Sequence, residues 1–288
     1  MNVFERVKSE MTRSGADVFS IGQSALGLPI LCAHCGGGGR QIIITAAIHA
    51  RECYTALVAL EQICLAQTAF AGGEKADGAY FIPLVNPDGA LFFESGLNGG
   101  LMPYCALSDR TERYDLLARS SGAWSVWKAN ADGVDLNCNF DANWGGGSSN
   151  KVHVAPSDFI GNYPLCAPES RALAEFTRRV APAATVSYHC MGGELYWEFF
   201  QSGRARERDE RFASAIASEI GVKKVDGHLF SAGGYKDWCV SALGIPAVTV
   251  ELIDSGSHPF TPDDYARDIQ KNARLPMFIH DTLGELGT

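Results

Sequence analysis

A histidine and a glutamate stand three residues apart in His49-Ala50-Arg51-Glu52, directly after the apolar run 41–48. Catalytic Zn²⁺ takes three protein ligands from His, Glu, Asp or Cys and leaves a fourth position for water. A second histidine, His189, ends another apolar run at 184–189. The spacing His-x-x-Glu alone is weak evidence. With a second histidine at a strand end, it predicts that His49, Glu52 and His189 bind one zinc ion.

Hydrolysis at a zinc site also needs a residue that takes a proton from water and passes it to the leaving group. Glu251 ends the short run 247–251 and is a candidate for this role. A carboxylate within a strand costs desolvation energy unless it has a partner, and a metal-bound water would be one. Taken alone, Glu251 is also consistent with a solvated strand end or an arginine pair, so its assignment depends on the other motifs.

The segments that must position these residues alternate between apolar runs and helical patterns. The alternation predicts an α/β fold with a mainly parallel sheet covered on both faces. In such sheets ligands bind outside the carboxyl ends of the strands, where the candidate ligands lie. A turn is predicted at 86–89 and long ordered loops over 91–168. The predicted strands are 42–48, 79–85, 184–188 and 247–251, and the predicted helices are 52–70, 169–180, 209–220 and one within 263–286.

Length and charge limit the function classes. The chain has 288 residues, 46% of them hydrophobic, which predicts a single domain over 1–288 with one large core. A net charge of −9 without a basic block argues against a nucleic-acid partner. The first ten residues lack the apolar core of a signal peptide, and no run approaches the ~18 apolar residues of a membrane span. Nine dispersed cysteines favour reduced thiols and a cytoplasmic location, with no membrane partner.

The motifs, taken in order, resemble those of the metallocarboxypeptidases, the zinc peptidases with the pancreatic carboxypeptidase fold. The resemblance covers nearly the whole chain. It implies an α/β fold with a mixed, mainly parallel eight-stranded sheet sandwiched between helices. It also implies that His49, Glu52 and His189 bind zinc, and that Glu251 is the general base and acid. The motifs are His49-x-x-Glu52, Asn86-Pro87-Asp88-Gly89, Gly133-Val134-Asp135-Leu136-Asn137, Ser187-Tyr188-His189, Gly233-Gly234-Tyr235-Lys236-Asp237-Trp238 and Glu251.

The same resemblance implies a set of substrate-binding residues. Arg51 lies between two metal ligands and would face the substrate, with a surface salt bridge as an equal alternative. Asn137 would hydrogen-bond the terminal carboxylate of a substrate. Tyr235 and Lys236 fall where the family lines its specificity pocket, and a lysine there would neutralise an acidic group. Lys236 is equally consistent with a surface lysine.

Three residues typical of the family are replaced. The arginine that forms a bidentate pair with a terminal carboxylate is Cys138 here. The arginine that stabilises the oxyanion is Asp132, and Lys128 is a candidate to replace it from the same loop. The position of the mobile tyrosine is Leu229. These changes argue against ordinary C-terminal exopeptidase activity.

The missing arginine and the phrase at Ser231–Trp238 are most similar to the bacterial γ-D-glutamyl-diamino-acid peptidases. These enzymes cut peptidoglycan stem peptides between D-glutamate and meso-diaminopimelate, which implies a muropeptide substrate. Acidic residues within 192–198 would hold the ammonium group of diaminopimelate. Two alternatives stay open. One is an N-acyl amino-acid deacylase of the aspartoacylase type, disfavoured by the missing arginine. The other is a muropeptide-binding relative without activity, disfavoured by Glu251.

Overall fold

The computed structural model describes residues 1–73, 76–95, 124–227 and 232–287. Its centre is an eight-stranded sheet with the strand order β1-β2-β4-β3-β5-β8-β6-β7. The pairs β3–β4, β3–β5, β5–β8 and β6–β7 are parallel, and the other three are antiparallel. The strands are β1 (Asp17–Gln23), β2 (Pro29–Gly36), β3 (Gln41–Ala46), β4 (Gly78–Ile82), β5 (Ala184–Cys190), β6 (Glu194–Tyr196), β7 (Lys223–Val225) and β8 (Ala247–Leu252).

Helices cover the sheet, and the core consists of two hydrophobic clusters. Strand β3 shows why there are two, because Ile42 and Ile44 belong to one cluster and Ile43 to the other. Alternate side chains of a strand point to opposite faces, so a strand buried on both faces reads as a continuous apolar run. The helices are α1 (Val3–Arg13), α2 (Ala56–Ala69), α3 (Pro87–Ser95), α4 (Pro168–Val180), α5 (Gly203–Ile220), α6 (Tyr235–Trp238), α7 (Ala266–Asn272) and α8 (Leu275–Leu286).

The turn predicted at 86–89 is wrong, because α3 begins there. Pro87 is the first residue of α3, a position where the missing N–H of proline costs no hydrogen bond. The side chain of Asn86 accepts a hydrogen bond from Gly89 N at 3.0 Å, as a helix-capping residue does. Proline and asparagine favour both turns and helix starts, so local composition alone does not distinguish the two.

The sequence patterns also missed several elements. The antiparallel pair β1–β2 lies at one edge of the sheet, where β1 is largely half-buried or exposed. Strands β6 and β7 have three residues each, too few to show a period. Helix α1 was also not predicted, and α5 begins at Gly203 rather than near 209.

The loops predicted over 91–168 agree with the structure from 124 to 167, where the helical segments are the short 3₁₀ turns Trp124–Val126 and Leu136–Cys138. Residues 91–95 belong to α3, and 96–123 lie outside the described residues. Among the described helices, none has the length and apolar character needed to cross a membrane.

Candidate active site

Three strand ends form the site. Strands β3 and β5 are parallel neighbours, with Ala46 opposite Tyr188, and β5 continues to His189. Strand β8 lies parallel to β5 on its other side and places Glu251 opposite His189. Because the carboxyl ends of parallel neighbours meet at one edge, residues distant in sequence come together there.

The three candidate zinc ligands are in mutual contact. Nδ1 of His49 lies 2.9 Å from Oε1 of Glu52 and 3.2 Å from Nδ1 of His189. Nδ1 of His189 lies 3.2 Å from Oε2 of Glu52. All three residues are buried, and the 3₁₀ turn Ala50–Thr55 returns Glu52 to the histidine that precedes it.

This geometry suits zinc. Ligand atoms placed tetrahedrally at 2.0–2.1 Å from zinc lie about 3.3 Å from one another, close to the separations found here. Two imidazoles and one carboxylate are a ligand set of catalytic zinc sites, which leave a fourth position open. In the described part of the chain, these three side chains are the group placed closely enough together to hold a metal ion.

Asp135 supports the cluster, and sequence analysis assigned it no role. Its Oδ1 lies 3.2 Å from Nε2 of His49, so the carboxylate can orient the ring whose Nδ1 faces the other ligands. Its Oδ2 lies 3.4 Å from Nζ of Lys128. Burial opposes the charge of Asp135, but Lys128 and His49 outweigh it and hold its pKa well below the usual range. The signal in the sequence for a role of Asp135 was its position inside the motif 133–137.

The charges of the ligands are strongly coupled. Burial opposes a charged His49 ring, but Glu52 and Asp135 outweigh it and raise the pKa of His49 to about 9. Burial lowers the pKa of His189. Burial would raise the pKa of Glu52, but the two histidines hold it well below its usual range. Because zinc binds neutral imidazole, binding must release the proton from His49.

Glu251 is partly buried at the edge of this cluster. Burial first, and then the charge of Glu52, raises the pKa of Glu251 to about 8. In the described residues its carboxylate forms no side-chain hydrogen bond, and so it is free to face a substrate or a water molecule. A carboxylate with a pKa near neutrality can both accept and return a proton.

Lys128 lies close to the site, whereas Asp132 does not. The ammonium group of Lys128 contacts Asp135, and the charges of Asp135 and Glu52 raise its pKa against the effect of burial. Asp132 lines a surface groove beside Arg171 and Glu175 of α4. Of these two positions in the loop, the structure therefore brings only Lys128 to the metal ligands.

The other predicted substrate residues meet at the turn before α6. Oδ1 of Asn137 accepts a hydrogen bond from Tyr235 N at 3.1 Å. Gly233, at φ +76°, packs so closely that a Cβ there would lie 2.4 Å from the carbonyl oxygen of Cys138. Only glycine fits this approach. Leu229 and Ser231 lie outside the described residues.

The side chains of Tyr235 and Lys236 are both buried. The hydroxyl of Tyr235 bonds to that of Thr177 at 2.8 Å, within the core. Lys236 forms an ion pair with Asp237, and its Nζ donates to the carbonyl oxygen of Glu198 at 3.1 Å. Lys236 is therefore not a surface lysine, and its charge already has a protein partner.

The acidic residues after the third ligand are also paired. Glu194 lies opposite Glu251 in the β6–β8 pair and accepts hydrogen bonds from Tyr196 and Lys223. Glu198 accepts one from Arg206 at 3.0 Å. Both carboxylates therefore have cationic partners already, which weakens the expectation that they hold an ammonium group.

Comparison with known proteins agrees with this geometry. The profile of the family described as zinc carboxypeptidase matches residues 4–277. The chain belongs to the zinc carboxypeptidase family. It is a zinc metallopeptidase whose cofactor is Zn²⁺, and the described residues contain one cluster suited to hold it.

One curated relative is an endopeptidase by its name. It is Gamma-D-glutamyl-L-diamino acid endopeptidase 1 of Lysinibacillus sphaericus, 29% identical over 259 residues. The alignment covers 85% of this chain and 62% of that protein. The chain thus spans less than two-thirds of that relative's length.

Two solved structures share the fold. Bovine thrombin-activatable fibrinolysis inhibitor, in complex with tick carboxypeptidase inhibitor, has a TM-score of 0.74 at 18% identity and covers 99% of this chain and 98% of its own. The murein-tripeptide amidase MpaA from Escherichia coli O157 has a TM-score of 0.56 at 21% identity, and the match covers 92% of this chain and 94% of that one. The predicted fold class is confirmed.

Proposed function

We propose that this zinc peptidase hydrolyses the amide between γ-D-glutamate and meso-diaminopimelate in peptidoglycan-derived peptides. The observation that carries the hydrolytic part is Glu251 opposite His189 in the sheet, beside the cluster of His49, Glu52 and His189. The substrate class is supported by the Lysinibacillus sphaericus relative, which is a γ-D-glutamyl-L-diamino acid endopeptidase.

His49, Glu52 and His189 would hold the zinc ion, which supplies a Lewis acid that polarises the amide carbonyl and acidifies water. Glu251 removes a proton from the attacking water and delivers it to the nitrogen of the leaving amine as the C–N bond breaks. Lys128 supplies positive charge for the oxygen of the carbonyl as it gains negative charge. Asp135 keeps the ring of His49 in the tautomer and orientation that the cluster needs.

The surroundings of Cys138 favour this substrate over an ordinary C-terminal peptide. Burial raises the pKa of the Cys138 thiol, so the side chain is neutral where the family arginine would be charged. The side-chain oxygen of Asn137 accepts from Tyr235 N, and its amide NH₂ group can donate but carries no charge. Neither group therefore supplies the bidentate, charge-assisted pair that a terminal carboxylate needs.

The proposal includes a cytoplasmic location, where the enzyme would act on muropeptides released from the wall. Its support is the state of the cysteines, since all eight that the structure describes are free. Proteins in oxidising compartments commonly pair such residues.

The test is product analysis by mass spectrometry with zinc-loaded protein and L-Ala-γ-D-Glu-meso-diaminopimelate peptides of three, four and five residues. We expect release of L-Ala-D-Glu. Cleavage of the tripeptide alone would define an exopeptidase, and cleavage of all three lengths an endopeptidase. A panel of N-acyl amino acids is the control. Hydrolysis of that panel without cleavage of any muropeptide would overturn the proposal in favour of a deacylase.

A further inference from the structure

The segment 86–89 opens α3, and two of its residues make contacts that a helix start alone does not require. As the capping residue, Asn86 needs only its side-chain oxygen, which accepts from Gly89 N at 3.0 Å. Its amide nitrogen donates to two further groups, the carbonyl oxygens of Ile48 at 3.3 Å and of Ala129 at 3.1 Å. Because Asn86 is fully buried, its side chain joins two segments that are far apart in the sequence.

Both carbonyl oxygens belong to neighbours of groups in the candidate active site. Ile48 precedes the candidate zinc ligand His49, and Ala129 follows Lys128. The same two segments are also paired through their backbones, since Ala50 N donates to the carbonyl oxygen of Lys128 at 3.0 Å. The amide of the capping residue therefore lies where the strand end that carries a metal ligand meets the loop that carries the lysine.

Gly89 gives an independent observation on the same contact. It lies in the first turn of α3 without a positive φ, so the helix itself does not require glycine, and alanine is the more favourable residue in a helix. A Cβ at this position would lie 2.5 Å from Nδ2 of Asn86 and 2.7 Å from the carbonyl oxygen of Ala129. Both of these residues are buried, so a side chain at 89 would displace the loop. The helix backbone thus packs directly against the loop.

We propose that Asn86 and Gly89 are positioning residues, which hold the neighbouring loop so that the Lys128 ammonium lies beside the cluster of candidate zinc ligands. This inference rests on the proposed function, in which Lys128 supplies positive charge at the carbonyl oxygen of the substrate. Nζ of Lys128 lies 3.4 Å from Oδ2 of Asp135 in the same loop. A shift of the loop would move this charge relative to the cluster, and a misplacement of about 1 Å can cost about 10²-fold in rate.

Asn86→Ser and Gly89→Ala perturb the contact from opposite sides. Serine caps a helix as well as asparagine does, but its hydroxyl cannot also donate to two carbonyl oxygens. Alanine at 89 retains the hydrogen bonds of Asn86 and presses on Ala129. With zinc-loaded protein and L-Ala-γ-D-Glu-meso-diaminopimelate, each variant should lower kcat by about 10–100-fold. Bound zinc should stay at the wild-type level, and KM should change little.

A double-mutant cycle with Lys128→Met distinguishes positioning from a merely structural role. If the two residues act through Lys128, neither change should lower kcat by more than about twofold once the ammonium group is absent. Losses of equal fold in the presence and absence of the lysine would overturn the proposal. Losses that match a fall in bound zinc would overturn it as well.

Two matched variants control for the type of substitution. Asn2→Ser changes the capping residue of α1, whose Oδ1 accepts from Glu5 N at 2.8 Å. Gly284→Ala changes a glycine within α8, where a Cβ would meet Arg40 at 3.9 Å, an ordinary contact distance. Both variants should keep the wild-type kcat, and Gly284→Ala should raise the melting temperature because alanine favours a helix. A similar loss of kcat in these controls would contradict a specific role for 86 and 89.

A second measurement needs no substrate. The side chain of Lys128 is 20% exposed and paired with Asp135, so an amine-reactive ester should modify it slowly, as measured by peptide mass spectrometry. In both test variants the modification should be several-fold faster than in wild type and in the two controls. Faster modification without cleavage of any muropeptide would support the positioning role and refute the proposed function. An unchanged rate of modification in both test variants would overturn the positioning role, whatever the activity.

Discussion

Glu251 and Glu169 both have a pKa raised to about 8, but they lie in regions with different surroundings. Glu169 is in the first turn of α4 and is fully buried. Its two oxygens accept hydrogen bonds from Ala25 N and from the side chain of Asn130, each at 2.8 Å. Burial, followed by the charge of Asp88, raises its pKa.

Asp88 completes this second region. It accepts hydrogen bonds from the Ser24 hydroxyl at 2.8 Å and from Leu26 N at 2.9 Å. The two carboxyl groups thereby connect the loop after β1 to the first turns of α3 and α4. Their lone pairs are used within the protein, which is what a structural network of buried polar groups requires.

The comparison shows that a perturbed pKa does not by itself identify a catalytic group. Both glutamates are perturbed mainly by burial and by a neighbouring carboxylate. The two carboxyl groups differ in their hydrogen bonds. Glu169 accepts hydrogen bonds from protein donors, whereas Glu251 has no such bond in the described residues and faces metal ligands. A shifted pKa therefore indicates a reactive group when that group lacks hydrogen-bond partners within the protein.

The largest effect should separate the two glutamates directly. Glu251→Gln should lower kcat by about 10²–10⁴-fold, because it removes the group that transfers the proton. Zinc content, measured by metal analysis, should remain at wild-type level. Glu169→Gln is the matched change and should leave kcat within about threefold of wild type, since only positioning of loops is affected. Comparable losses of kcat in both variants would show that the two glutamates do not differ in role.

Variants of Lys128 test whether its positive charge assists the reaction at the carbonyl oxygen. Lys128→Met should lower kcat by about 10²–10³-fold with little change in KM, as for loss of an oxyanion-stabilising donor. Lys128→Arg should recover part of the activity because it retains the charge. If Lys128→Met instead loses zinc with no change in kcat per bound metal, the lysine only supports Asp135.

Asp135 lies beside the candidate metal ligand His49, and we expect it to act through that ring rather than on a substrate. Asp135→Asn should weaken zinc affinity or activity by about 10–100-fold, since an amide orients the His49 ring less well than a carboxylate. Competition with a chelator measures the affinity, and kcat is measured at saturating zinc. Wild-type values for both would show that the 3.2 Å contact with His49 is incidental.

The smallest effect concerns stability and the Glu169 region. The carboxyl of Glu169 binds its proton more tightly in the folded protein than in the unfolded chain, where its pKa is about 4.3. Its contribution to stability is thus complete below about pH 4 and is lost as the pH rises towards 8. The slope is at most about 1.4 kcal/mol per pH unit for one proton.

Urea unfolding at pH 5, 6.5 and 8 measures this slope. Glu169→Gln should flatten it, because glutamine does not titrate. Glu175→Gln, at an exposed site on the same helix, should keep the wild-type slope. Parallel curves for wild type and Glu169→Gln would mean that Glu169 is ionised in the folded protein.

Much of the candidate active site was predictable from sequence because its residues lie at the ends of apolar runs. His49, His189 and Glu251 each end a run, and strands buried on both faces have a strong signal. The Asp88–Glu169 network was not predictable, because its members lie at helix starts far apart in sequence and have no spacing in common. The single domain over 1–288 stays a prediction, as do the roles of the metal-binding, acid–base and substrate-binding residues.

The fold class, the candidate metal ligands and the candidate acid–base residue all follow from the sequence, because local burial patterns and short spacings encode them. Which side chains share an environment depends on the folded structure. It aligned Glu251 with His189 and set Asp135 behind His49. It buried Lys236 against Asp237. The reason is physical: hydrogen bonding and desolvation depend on neighbours that loops and strand order bring together, and a one-dimensional pattern does not contain those neighbours.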